Sequence, residues 1–136
     1  VLGLADADHE ETSPDAPTLL ITKLSCSLVG KKEAVRLEPG TQTHRMYGAG
    51  ESIEDFACNY GFNPLYLDHF LNSGLRVSGT DAEGVIRTVE LPGHPFFVAT
   101  LYLPQMKSAP GKPHPLIAAF VKAAIQSKTG ATTVSA

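Results

Sequence analysis

A chain of 136 residues suffices for one domain with a real core. Its formal net charge of -3 spreads no broad basic field, which argues against nucleic acid and anionic membranes as partners. The two cysteines, Cys26 and Cys58, are too few for a disulfide framework and too far apart for a metal knuckle, so free thiols in a reducing compartment are expected, with no metal and no cofactor.

The opening Val1 to Ala5 is apolar but short. It is no signal peptide and no later run is long enough to cross a bilayer, so a cytoplasmic location is expected. The sequence does not start with methionine, and Val1 is read as continuing an upstream segment. Asp6 to Pro17, with acids, His9 and prolines, reads as an exposed connection. Thr18 to Val29 is rich in apolar and β-branched residues and reads as a strand bent near Ser25, with Cys26 between Leu24 and Leu28 expected in the core. Gly30 to Glu33 reads as a polar turn, Ala34 to Leu37 as a short strand, and Glu38-Pro-Gly-Thr41 as a further turn. Gln42 to Gly48 reads as extended, and its His44 and Arg45 are candidates to contact an anionic ligand group.

A strand is expected around Phe56 to Tyr60, followed by a helix that starts at Asn63-Pro64, takes apolar contacts from Leu65, Phe70 and Leu71, and ends at a left-handed Gly74. Leu75 to Gly79 and Val85 to Glu90 flank Asp81-Ala-Glu-Gly84 and form a hairpin. Phe96 to Leu103 is apolar and closed by prolines on both sides, which predicts a strand buried on both faces. After a Lys107 to Pro113 loop, a helix is expected over 115–126, where Leu116, Phe120, Val121, Ala124 and Ile125 recur on one face. Residues 1–126 then make up one domain and 127–136 a tail.

Sites in open α/β sheets lie beyond the carboxyl ends of the strands, so Leu103-Pro104-Gln105 is where chemistry is sought. His94 stands at the other end of that strand and reads as a structural histidine. His114 reads as a cap or lead-in to the last helix. His9, His69 and the acids Asp6, Asp8, Glu10 and Glu11 read as an exposed polar face rather than a metal site.

Gly74-Leu-Arg-Val-Ser-Gly79, Val89-Glu90, His94-Pro-Phe-Phe-Val-Ala99, Pro104 and His114-Pro-Leu116 with Phe120-Val-Lys-Ala-Ala124 together resemble the end of a class I glutamine amidotransferase domain of the CTP synthase type. Gly40-Thr41 with Arg45, and Glu54 with Tyr60 and Asn63, extend the likeness upstream. The chain resembles most the group named for its relation to the CTP synthase C-terminal region. The resemblance implies an α/β fold: a three-layer, flavodoxin-like domain, present as its C-terminal half, with a mostly parallel central sheet. It also implies a partner, the upstream half of the same domain, attached or cleaved.

In that family a cysteine attacks the glutamine amide, and a His-Pro-Glu segment supplies the base and the group that orients it. Leu103 and Gln105 stand at those two positions, and no Gly-x-Cys-x-Gly elbow occurs. Leucine has no titratable atom and a neutral amide does not stabilise an imidazolium. The expectation is therefore a catalytically degenerate module that binds a small molecule or regulates. The alternatives are a thiol-dependent enzyme using Cys58 or an upstream cysteine, and a glutaminase domain serving CTP synthesis. Cys58, Asn59 and Tyr60 replace a loop that lies near bound glutamine in the family, and they join His44 and Arg45 as ligand-binding candidates.

Overall fold

A computed structural model describes residues 2–131. In chain order the elements are β1 (Ala7–His9), β2 (Thr18–Lys23), β3 (Lys31–Leu37), α1 (Gln42–Tyr47), β4 (Glu51–Phe56), β5 (Tyr60–Phe62), a 3-10 turn (Pro64–Tyr66), α2 (Leu67–Leu71), β6 (Arg76–Thr80), β7 (Ile86–Glu90), β8 (Val98–Thr100), a second 3-10 turn (Pro104–Lys107) and α3 (Pro115–Ala131). They build a five-stranded sheet of order β4-β3-β6-β7-β8 and a three-stranded sheet of order β1-β2-β5.

The fold is α/β, but the mostly parallel sheet expected of it is not found. Every pairing in the five-stranded sheet is antiparallel, and only β1 with β2 runs parallel. The connections explain this. The Asp81 to Gly84 turn and the short β7-to-β8 link reverse the chain, and the link through α1 brings β4 back against β3, whereas parallel neighbours need a long crossover. The apolar run at Phe96 to Leu103 contributes only three strand residues, and β8 is the edge of its sheet. Ala99 and Phe97 are exposed, so that strand is not buried on both faces.

Other local readings are corrected by capping. Gln42 to Tyr47 is helical, not extended, because Thr41 accepts from the His44 amide at one end and Gly48 closes the other in the left-handed region at φ 66°. The buried carboxylate of Glu90 completes the start of this helix, accepting from the amides of Gln42 and Thr43 at 2.9 Å each. The strand expected around Phe56 to Tyr60 is interrupted: Phe56 ends β4, Tyr60 begins β5, and residues 57–59 are the break between them. Asn63 does cap the following turn, but Leu65 is 83% exposed. That helical stretch ends at Leu71 rather than at a left-handed Gly74. Lys31 to Glu33 belong to β3 rather than to a turn, and Cys26 is exposed. The last helix continues past 126 to Ala131, and the rest of the expected tail lies outside the described residues.

The core gathers Val35, Leu37, Phe56, Tyr102 and Leu116, with Met46, Tyr47 and Val98 packed against it, so α1 and α3 close over the large sheet. Phe120, Val121 and Ile125 remain exposed although they share the face of Leu116 in the sequence pattern. Gly79 sits at the centre of the sheet between Leu37 and Thr88. A Cβ there would stand 2.8 Å from Thr88 Oγ1 and 2.9 Å from Val35 Cγ1, both in fully buried side chains. Gly79→Ala is expected to cost about 1–3 kcal/mol of stability, read as a lower denaturation midpoint at unchanged slope.

Candidate functional site

The densest polar chemistry lies between β4, α1 and the start of α3, beside the end of β8. Glu54 is fully buried on β4, and its carboxylate is met from four directions. Ser52 Oγ donates to Oε1 at 2.7 Å and the Tyr47 hydroxyl at 3.0 Å. His114 Nε2 lies 3.2 Å from Oε2, and Lys107 Nζ lies 3.6 Å from Oε1. The chain of contacts continues outward: the Tyr47 and Tyr102 hydroxyls are 3.0 Å apart, and Thr88 donates to Tyr102 at 3.2 Å.

The backbone decides the histidine's tautomer. His114 Nδ1 accepts from the Leu116 amide at 3.2 Å, which caps α3 and leaves the ring proton on Nε2, facing Glu54. A second proton on Nδ1 would break that cap and set a positive charge at a helix N-terminus. Buried carboxylates persist only when hydrogen-bonded and charge-compensated. Here the neutral donors are Ser52, Tyr47 and His114, and the compensating cation is Lys107. Burial, with the neighbouring Tyr102 and Glu54, pushes the Tyr47 phenol above the usual tyrosine range. Burial raises Tyr102 from 10.0 to about 12. Both phenols therefore stay protonated and act as donors at neutral pH.

Leu103 and Gln105 follow β8, which ends at Thr100, with Leu103 leading into the second 3-10 turn and Gln105 within it. The Leu103 amide donates to Asp55 O at 2.9 Å, which docks the second 3-10 turn on β4. Leu103 is half-buried, and Gln105 is exposed. Cys58 follows β4, half-buried, with its sulfur accepting from the Tyr60 amide at 3.3 Å. No hydrogen bond among the described residues joins either thiol to a histidine. The other candidates divide. His44 and Arg45 ride on α1, where Arg45 Nη1 donates to Gly40 O at 3.1 Å. Cys58 and Asn59 lie between β4 and β5, and Tyr60 opens β5, where its ring meets His9 at 4.9 Å. No hydrogen bond or ring contact among the described residues bridges the two groups. His94 is exposed, its Nδ1 accepting from the Phe96 amide, and among the described residues no cluster suited to a metal ion forms. No helix among them is long and apolar enough to cross a membrane.

Neither Glu54 nor Tyr47 stands out as a site residue in the sequence. The available signal was weak: one carboxylate in a strand whose neighbours alternate toward the core, and a histidine just before a helix.

The class of fold is settled by comparison with a solved structure. The chain superposes on the glutaminase domain of Trypanosoma brucei CTPS, solved with bound acivicin, with a TM-score of 0.84 at 24% identity, covering 93% of this chain and 53% of that one. In sequence, the chain is 36% identical over 147 residues to CTP synthase of Nocardia farcinica, covering 93% of this chain and 25% of the relative. It is 44% identical over 91 residues to CTP synthase of Gloeothece citriformis, covering 66% of this chain and 16% of the relative. No family model matches the sequence. The chain is thus homologous to CTP synthase and has the α/β fold of its glutaminase domain, while spanning a quarter or less of the length of these curated relatives.

The phenols predict a response to alkali. The unfolded chain releases the Tyr102 proton near pH 10 and the folded chain near 12, so between these values the unfolded state binds fewer protons. Stability is full below pH 10 and falls as pH rises through this window, by about 1.4 kcal/mol per pH unit from this group. Tyr102→Phe is expected to flatten that slope in denaturant titrations across the window.

Proposed function

We propose that the chain is a catalytically degenerate glutamine amidotransferase-like module, one that binds or regulates rather than hydrolysing glutamine through a His-Pro-Glu segment. The observation that carries this reading is the end of β8. Leu103 and Gln105 stand there with the intervening proline kept, where the resemblance aligns the base and its orienting carboxylate. His114, which like Lys107 of this segment meets Glu54, is committed to that carboxylate and to the cap of α3. An imidazole so engaged is not free to take a thiol proton. Full-length protein is expected to release ammonia from glutamine no faster than its Cys58→Ala variant, both at background in a coupled assay. A wild-type rate well above that control would overturn the reading in favour of a thiol-dependent enzyme.

The same reading supplies a partner, the upstream half of an amidotransferase-like domain. The T. brucei domain is matched over only 53% of its length. The open edge of β8 supports this partner. Leu91 donates to Phe97 O and Leu101 to Arg87 O, so the register turns the N–H and C=O groups of Val98 and Thr100 away from β7. One side of the edge opens on an apolar cleft of about 220 Å³ that includes Phe62, Phe70, Phe97 and Ala99. A second cleft of about 180 Å³, lined by Val98, Thr100, Leu116 and Phe120, lies beside it. A strand added to β8 would drop alternate side chains into both. An upstream segment supplied in trans is expected to copurify with the chain. Val98→Pro, which removes an outward N–H from the start of an edge strand, is expected to abolish copurification while leaving the chain folded.

A further inference from the structure

Glu54 and Lys107 are joined across two segments far apart in sequence, and their burial is unequal. The carboxylate side chain is 0% exposed, whereas the lysine side chain is 35% exposed and stands at the rim. Lys107 closes the 3-10 turn Pro104–Lys107, which carries Gln105 and has no side-chain cap at its start. Besides the ion pair, Nζ donates to Ser52 Oγ at 3.3 Å and to the Ile53 carbonyl, so a single ammonium grips three consecutive residues of β4. The remaining groups facing Glu54 are Ser52 on its own strand, Tyr47 from α1 and His114 from the lead-in to α3. With the ring proton of His114 on Nε2, those three are neutral donors. The charge of a carboxylate shut away from water is therefore compensated through this one movable side chain.

We propose that Glu54 and Lys107 form an electrostatic latch that holds the Leu103 to Ser108 segment closed against β4, and that removing either charge lets this segment open. The latch stands whether or not the segment retains any part in glutamine chemistry. A lysine on an exposed short turn loses much side-chain entropy when fixed, and an exposed pair would not repay that loss. The buried carboxylate changes the balance, because opening the turn would strand its charge among neutral donors. The Leu103 amide reports on closure, since it donates across to Asp55 O on β4 at 2.9 Å, and the Met106 and Ser108 amides, which donate within the turn to Leu103 O and Gln105 O at 3.0 and 3.2 Å, report on whether the turn itself holds.

Amide hydrogen exchange of the full chain tests the latch. Lys107→Met keeps the aliphatic stem and removes the charge. It is expected to speed exchange at Leu103, Met106 and Ser108 about tenfold while leaving the β3 and β6 amides unchanged, and Lys107→Arg is expected to restore slow exchange. Glu54→Gln should produce the same local opening, with no further increase in the double variant. Unchanged exchange at the turn in Lys107→Met, or equal acceleration across the whole sheet, would overturn the proposal. Should Glu54→Gln fail to fold, the Met and Arg variants at the exposed position still decide it.

Discussion

A carboxylate buried without access to water organises this molecule. Placing Glu54 in the interior is unfavourable unless its oxygens are filled with donors and its charge is matched. Meeting those demands recruits α1 through Tyr47, the start of α3 through His114, and the second 3-10 turn through Lys107. Tyr102, lying between Tyr47 and Thr88, ties the arrangement into the apolar core beside Phe56 and Leu116. Three separate segments thus acquire fixed positions on β4 from one charged group.

That arrangement also bears on the segment at the end of β8. The segment after β8 holds Leu103 and Gln105, anchored by a backbone bond to Asp55 and by the grip of Lys107. His114 serves the buried carboxylate of Glu54 and the cap of α3. The hydrogen bonds that hold this segment run through the backbone and through β4, not through the side chains of residues 103 and 105, so the α/β fold does not depend on which groups those two positions carry.

Several features were legible in the residues. Asp81 to Gly84 gave the β6–β7 hairpin, Asn63-Pro64 gave a capped turn, and the conjunction of Gly74 to Gly79 with His94 to Ala99 and His114 to Phe120 pointed to the right α/β fold. The misreadings have physical causes. Gln42 to Tyr47 carries weak helical signals, and its helix depends on Glu90, 47 residues from Thr43 in sequence, presenting a carboxylate to its first amides. Cys26 sits among apolar neighbours in sequence but at an exposed turn after β2. Phe120 and Ile125 share a face with Leu116, yet only the first turn of α3 reaches the core.

The sequence by itself determined the class of fold, the local turns and caps whose partners lie within a few residues, and the absence of an imidazole and a carboxylate at positions 103 and 105. Tertiary structure alone decided the antiparallel order of the large sheet and the edge position of β8, because strand neighbours follow from how the chain doubles back and not from the polarity of any one strand. It alone decided that Tyr47, Glu54, Lys107 and His114 meet. Their contacts span up to 67 residues, and each side chain taken singly has an ordinary role on a surface or in a loop. Only the cost of leaving a charge uncompensated in the interior binds them together.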